Sequence, residues 1–129
     1  DYYAEVALAT LPRDRWGALG LFPTEDEGWV SSAPVKLPEN GFEIVLNADH
    51  PELIRVELTD ERFGILPGQS GENSGFSGPS IGLRSMVSWP AGNPSMLSGK
   101  SVRLRVHLNR KEGLEPRLYA IYVMETSCQ

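Results

Sequence analysis

A single cysteine, Cys128, stands in a chain of 129 residues. No disulfide can form within the chain. A metal or thiolate site built from clustered Cys and His has only His50 and His107 to add, at no recognisable spacing. The plain reading of Cys128 is a free thiol, or one half of a bridge to a segment elsewhere. Basic residues are also short, with 12 Lys and Arg against 17 Asp and Glu, a formal net charge of −5. That sign argues against non-specific nucleic-acid binding, which needs a basic surface, and against docking on anionic lipid. No apolar run approaches the ~20 residues of a membrane-spanning helix. Asp1-Tyr2-Tyr3 lacks the basic-then-apolar order of a secretory leader, which leaves open a mature fragment or an excised domain. The length suits one domain with one core, spanning 1–129.

Helical periodicity is missing as well, and 13 glycines and 10 prolines are scattered through the chain. Period-two alternation takes its place. In Val102-Arg103-Leu104-Arg105-Val106-His107-Leu108 the apolar residues fall on one face and Arg103, Arg105 and His107 on the other, the pattern of a half-buried strand. Phe42, Ile44 and Leu46 form a second set, with Glu43 opposite. Ile54, Val56 and Leu58 form a third, with Arg55 and Glu57 outward. Val6 and Leu8 suggest a fourth, from Glu5 to Thr10. Leu118 to Val123 is apolar at both parities, which predicts a central or doubly covered strand. Weaker strands are expected over Trp16–Phe22, Gly28–Ser32, Val35–Leu37 and Leu83–Trp89. The core is expected to hold Leu8, Trp16, Ile44, Leu46, Val56, Leu58, Leu104, Val106 and Tyr122.

Turn chemistry divides these strands. Asn40-Gly41 favours a tight turn with positive φ. Residues Asn47 to Pro51 read as a hairpin loop, and Thr59–Arg62 and Asn109–Pro116 are polar. Pro67 to Pro79 is long and rich in Gly and Ser, a composition found in functional or mobile loops. Short strands, many turns and no helix predict an all-β fold, a two-sheet antiparallel β-sandwich of jelly-roll-like form.

Several segments match known patterns in order. Ala7-Leu8-Ala9-Thr10-Leu11-Pro12-Arg13-Asp14-Arg15-Trp16 resembles a recurring "LATLRRDGF/W" segment. Leu46-Asn47-Ala48-Asp49 resembles an "LNAD" turn ahead of a strand like Ile54–Leu58. Val87-Ser88-Trp89 with Leu97 to Arg105 resembles "V-x-W … L-x-G-K-x-V-R-L-R-F", and Leu118-Tyr119-Ala120 resembles a closing "LYSF" strand. Together they cover most of the chain from about Tyr3 to Val123. The combination resembles the β-sandwich module C-terminal to five-bladed β-propellers of the glycosyl hydrolase family 32 and 43 type. In such proteins the propeller holds the catalytic carboxylates. The chain departs from the pattern at Pro12, where a second arginine is usual, and in the Pro67–Pro79 stretch.

Candidate chemistry is sparse. A glycosidase needs two carboxylates at a fixed separation. Asp14, Asp49, Glu57, Asp60 and Glu72 lie in turns or on a polar sheet face, with no motif fixing a pair. Ser, His and Asp occur without a nucleophile elbow. Catalytic residues, metal ligands and cofactors are therefore all expected to be absent. Asp14 is expected to bond backbone amides at its turn, and Trp89 to pack at a strand end. Trp29, beside Gly28 and after the acidic turn Glu25-Asp26-Glu27, is the tryptophan most free to face solvent. Sugars stack on such rings. If their strands share a sheet, Arg55, Glu57, Arg103, Arg105 and His107 make a cationic strip. Its arginines suit the carboxylate or sulfate of an acidic polysaccharide. A solvated surface or an interdomain contact would serve equally well. The candidate carbohydrate-binding set is thus Trp29, Arg55, Glu57, Arg103, Arg105 and His107.

The resemblance implies a non-catalytic accessory domain of a carbohydrate-active enzyme. Its expected partners are an upstream catalytic propeller and a polysaccharide, with no nucleic acid and no membrane, in a secreted or periplasmic bacterial protein. Two other readings stay open: a purely structural interdomain module, and an independent carbohydrate-active hydrolase.

Overall fold

A computed structural model describes residues 10–79 and 82–126. The expected strand over Glu5–Thr10, the burial of Leu8 and the state of Cys128 fall mainly or wholly outside those residues. Among the described residues eight strands occur in chain order: β1 (Glu27–Ser31), β2 (Val35–Lys36), β3 (Phe42–Asp49), β4 (Ile54–Asp60), β5 (Gly75–Phe76), β6 (Ser85–Met86), β7 (Ser101–Asn109) and β8 (Arg117–Glu125). Among the described residues the only helical segments are one-turn 3-10 pieces. The strands form two antiparallel sheets, one in the order β1-β7-β4-β5 with β2 also on β7, the other in the order β6-β3-β8. The fold is the expected all-β sandwich.

β7 keeps its alternation without interruption. Val102, Leu104, Val106 and Leu108 are buried, and the intervening residues are half-buried on the outer face. From β4 come Ile54, Val56 and Leu58, and from β3 come Phe42, Ile44, Leu46 and Ala48. These meet in one cluster between the sheets, with Leu37, Val87, Leu97 and Leu118 closing it. Trp89 packs against that cluster from a strand end, as expected.

Four expectations are corrected. Trp16 is not core: it is 87% exposed, because the chain at 16–18 runs over the surface and only Leu19 bridges to β8, at Leu118. Consequently 16–22 is not a strand. The doubly covered strand is β3, in the middle of its sheet, whereas β8 is half-buried along most of its length. Tyr122 is also half-buried and lies on the outer face. The cause is a β-bulge: Asn47 pairs with Ala120 but Ala48 with Leu118. The extra residue switches the strand's parity, so that Leu118, Ile121 and Val123 all face the core while Tyr122 faces away.

The link from β3 to β4 is not a hairpin, since the two strands belong to different sheets. His50 takes the left-handed conformation at φ 52°, and a 3-10 turn over Pro51–Leu53 carries the chain across the core. Residues 67–79 are not an open loop either. They fold into two 3-10 turns and β5, burying Gln69, Ser70, Ser74 and Ser77 against the end of β4.

Candidate functional site

The outer face of the five-stranded sheet brings the candidate residues together. Register places Trp29 opposite His107, His107 opposite Arg55, and Arg55 opposite Phe76, in one row across β1, β7, β4 and β5. The neighbouring row holds Ser31, Arg105 and Glu57, and the next pairs Arg103 with Thr59. Alternation of β7 with its neighbours therefore assembles Trp29, Arg55, Glu57, Arg103, Arg105 and His107 on one surface.

The six do different things there. Arg103 is committed to structure: Nε donates to the Glu61 carbonyl at 2.7 Å and Nη1 to the Ser32 carbonyl at 3.1 Å, while its guanidinium stacks on Phe63. Glu57 is largely covered by the 67–76 segment, and its carboxylate accepts the Gly71 amide at 3.3 Å and is hydrogen-bonded to His107 Nε2. Burial pushes the Glu57 carboxyl up. The Gly71 amide, the His107 ring and the Arg55 charge outweigh burial and hold it below the usual carboxylate value. The carboxylate thus fixes the orientation of the His107 ring. Arg105 lays its guanidinium over the Trp29 indole, 4.7 Å from the ring centre. Its Nε is buried without a hydrogen bond among the described residues.

Trp29 is 61% exposed and Arg55 is exposed beside it. Between them opens a depression of about 520 Å³ lined by Glu25, Glu27, Trp29, Arg55, His107 and Asn109. The wall formed by the 22–26 turn is pinned by Arg110, whose backbone amide donates to the Asp26 carbonyl at 2.7 Å and whose guanidinium reaches the Glu25 and Phe22 carbonyls. The depression is open, mixed in charge, and built on regular strands.

A second polar assembly lies on the outer face of the three-stranded sheet. Arg15 donates from Nε to Asn47 Oδ1 at 3.0 Å and from Nη1 to Asp49 Oδ1 at 2.8 Å, and it stacks on the Tyr119 ring. The Tyr119 hydroxyl donates to Asp49 Oδ2 at 2.8 Å, which raises its pKa above the ordinary tyrosine value. Asn47 Nδ2 donates to the Arg13 carbonyl at 2.6 Å. Asp14 accepts from the Tyr122 hydroxyl, not from the backbone amides expected of it. Its groups bond to one another, so the assembly ties residues 13–15 to the sheet. Its one mark in the sequence is Asn47, a polar residue in the middle of an apolar strand. Phe76, which ends the row on the other face, sits inside a Gly/Ser-rich stretch where no alternation marks it.

Among the described residues no group of three or more His, Cys, Asp or Glu is placed to hold a metal ion. No family model, no curated protein and no solved structure matches the chain.

Proposed function

We propose that this chain is a non-catalytic accessory β-sandwich of a carbohydrate-active protein, secreted or periplasmic, and that it binds glycan on the outer face of its five-stranded sheet. The observation that carries the reading is Trp29: an exposed indole held from one side by Arg105, next to an exposed Arg55, over an open depression. A pyranose offers an apolar C–H face to such a ring and hydroxyls to the flanking carboxylates, imidazole and amide. The ordered LATLPRDRW, LNAD, V-x-W and L-x-G-K segments support the setting beside a catalytic propeller.

Screening the purified chain on plant, algal and microbial polysaccharides tests this. Binding that Trp29→Ala weakens at least about tenfold, an effect of ~1.4 kcal/mol, is the expected result. Silence across the panel overturns it. Turnover of a glycoside that disappears when Glu27 or Glu57 is replaced would establish an enzyme instead.

One observation favours an interdomain role as well. Leu19 and Phe22, 51% and 78% exposed, line an apolar groove beside β1, a surface suited to packing on a neighbouring domain. That groove shares Glu25, Glu27 and Trp29 with the depression, so a domain packed there would border the glycan site.

A further inference from the structure

We infer that the site takes a linear glycan of at least four sugar residues laid across the strands, with an acidic residue over Arg55 and a neutral one on Trp29. The inference rests on the glycan reading above and adds its length, direction and charge pattern. The row Trp29–His107–Arg55–Phe76 crosses four strands. Three inter-strand steps of about 4.8 Å separate its ends by about 14 Å. One pyranose in an extended chain advances by about one such step, so four rings, one per strand, set a ring on each of the two aromatic residues. Phe76 is 50% exposed and stands outward because the preceding Gly75 faces Val87 and Trp89 on the core side. The row therefore ends in an aromatic ring at both sides, with two polar positions, His107 and Arg55, between the stacking positions.

Charge fixes the pattern. Arg55 is the exposed cation of the row. Glu57, its neighbour on β4, is covered and already bonded to His107 and the Gly71 amide, so the Arg55 fork is available to a ligand carboxylate or sulfate. At the Trp29 end the lining turns acidic, with Glu25 and Glu27. Those carboxylates accept hydrogen bonds from sugar hydroxyls and repel a second anion. Trp29 and Arg55 are two strands apart, so a strictly alternating chain would present the same kind of residue to both; the preferred chain instead carries a single acidic residue two places from a neutral one.

The test compares three hexasaccharides by calorimetry on the intact chain: a β-linked glucan carrying one internal hexuronate, homopolymeric hexuronate, and the neutral β-linked glucan. Expected is binding of the singly acidic chain at least about tenfold tighter than either other. Arg55→Gln should bring it down to the neutral level, and Phe76→Ala should weaken the hexasaccharide while leaving the disaccharide unchanged. Arg55→Lys and Phe76→Leu, with thermal midpoints measured alongside, separate lost contacts from lost folding. Equal binding of the neutral glucan, still abolished by Trp29→Ala, overturns the charge pattern and leaves the glycan reading standing. Tighter binding of the homopolymer, or indifference to Phe76→Ala, likewise overturns the inference. No glycan binding at all removes both, and capture of poly-glutamate in place of any glycan reassigns the face to acidic protein.

Discussion

Arg15 shows how much one side chain can hold. Its fork meets Asn47, wholly buried, and Asp49, and its plane lies on Tyr119. Arg15→Ala leaves the Asn47 amide oxygen without its donor, and a stranded buried acceptor costs about 1–3 kcal/mol. Arg15→Lys keeps the charge but not the fork, so urea denaturation should place it between Ala and the parent. Glu57 gives a pH dependence. Its folded pKa lies below its unfolded value, so its stabilising contribution is present above the ordinary carboxylate range and is lost as pH falls through the depressed value. Glu57→Gln should lose stability by about 1 kcal/mol at neutral pH and flatten the acid limb of the stability–pH curve; an unchanged limb would count against this account. The Arg15 assembly is largely illegible in the sequence, because its partners lie more than thirty positions apart and no local pattern marks such a pairing. Trp16 departs from expectation for a related reason. Hydrophobicity alone sends an indole to the core, while Arg15, the residue before it, ties this segment to the outer face of a sheet.

At the level of strands, β7 is legible in full. Alternation assigns both its faces, and pairing with β4 is natural once both outer faces are polar. Val106 is 2% exposed, and its partner across the β1–β7 pair is Val30, which is partly exposed. Val106→Ala should cost about 1–3 kcal/mol through lost burial and the cavity left behind. Val30→Ala should cost less than about 1 kcal/mol, and equal costs by denaturant titration would show the register to be wrong. β8 is legible only in part. Its apolar residues at both parities reflect a change of face at the bulge, a feature set by its pairing with β3 and invisible in β8 alone. β3 and β4 look like the arms of a hairpin because a short polar segment joins them. Such a segment fits a turn within a sheet and a step between sheets equally well, and here a left-handed His50 and a 3-10 turn make it the step. The binding face is legible as a set of residues but not as a row, since Phe76 enters it only through the pairing of β5 with β4.

Across the whole molecule, polar and apolar surfaces adjoin: the depression and the apolar groove at Leu19 and Phe22 share Trp29 and the carboxylates Glu25 and Glu27. The path of the chain has a consequence of a different kind. From β2 to β3, β3 to β4, β5 to β6, β6 to β7 and β7 to β8 the chain changes sheet each time. β7, the strand to which β1, β2 and β4 all attach, arrives only after those segments have been laid down. Neither sheet can be completed while the other is missing, and the segments must wait for partners tens of residues away. Loop closure of this kind precedes the contacts that reward it. Refolding from urea should therefore be slow for a chain this size, in the millisecond-to-second range of non-local β folds, and should proceed as a single step in stopped-flow fluorescence. A fast phase restoring one sheet ahead of the other would contradict that. Time, in this fold, is spent searching for β7 and β8, so the two last strands set the pace at which everything before them becomes structure.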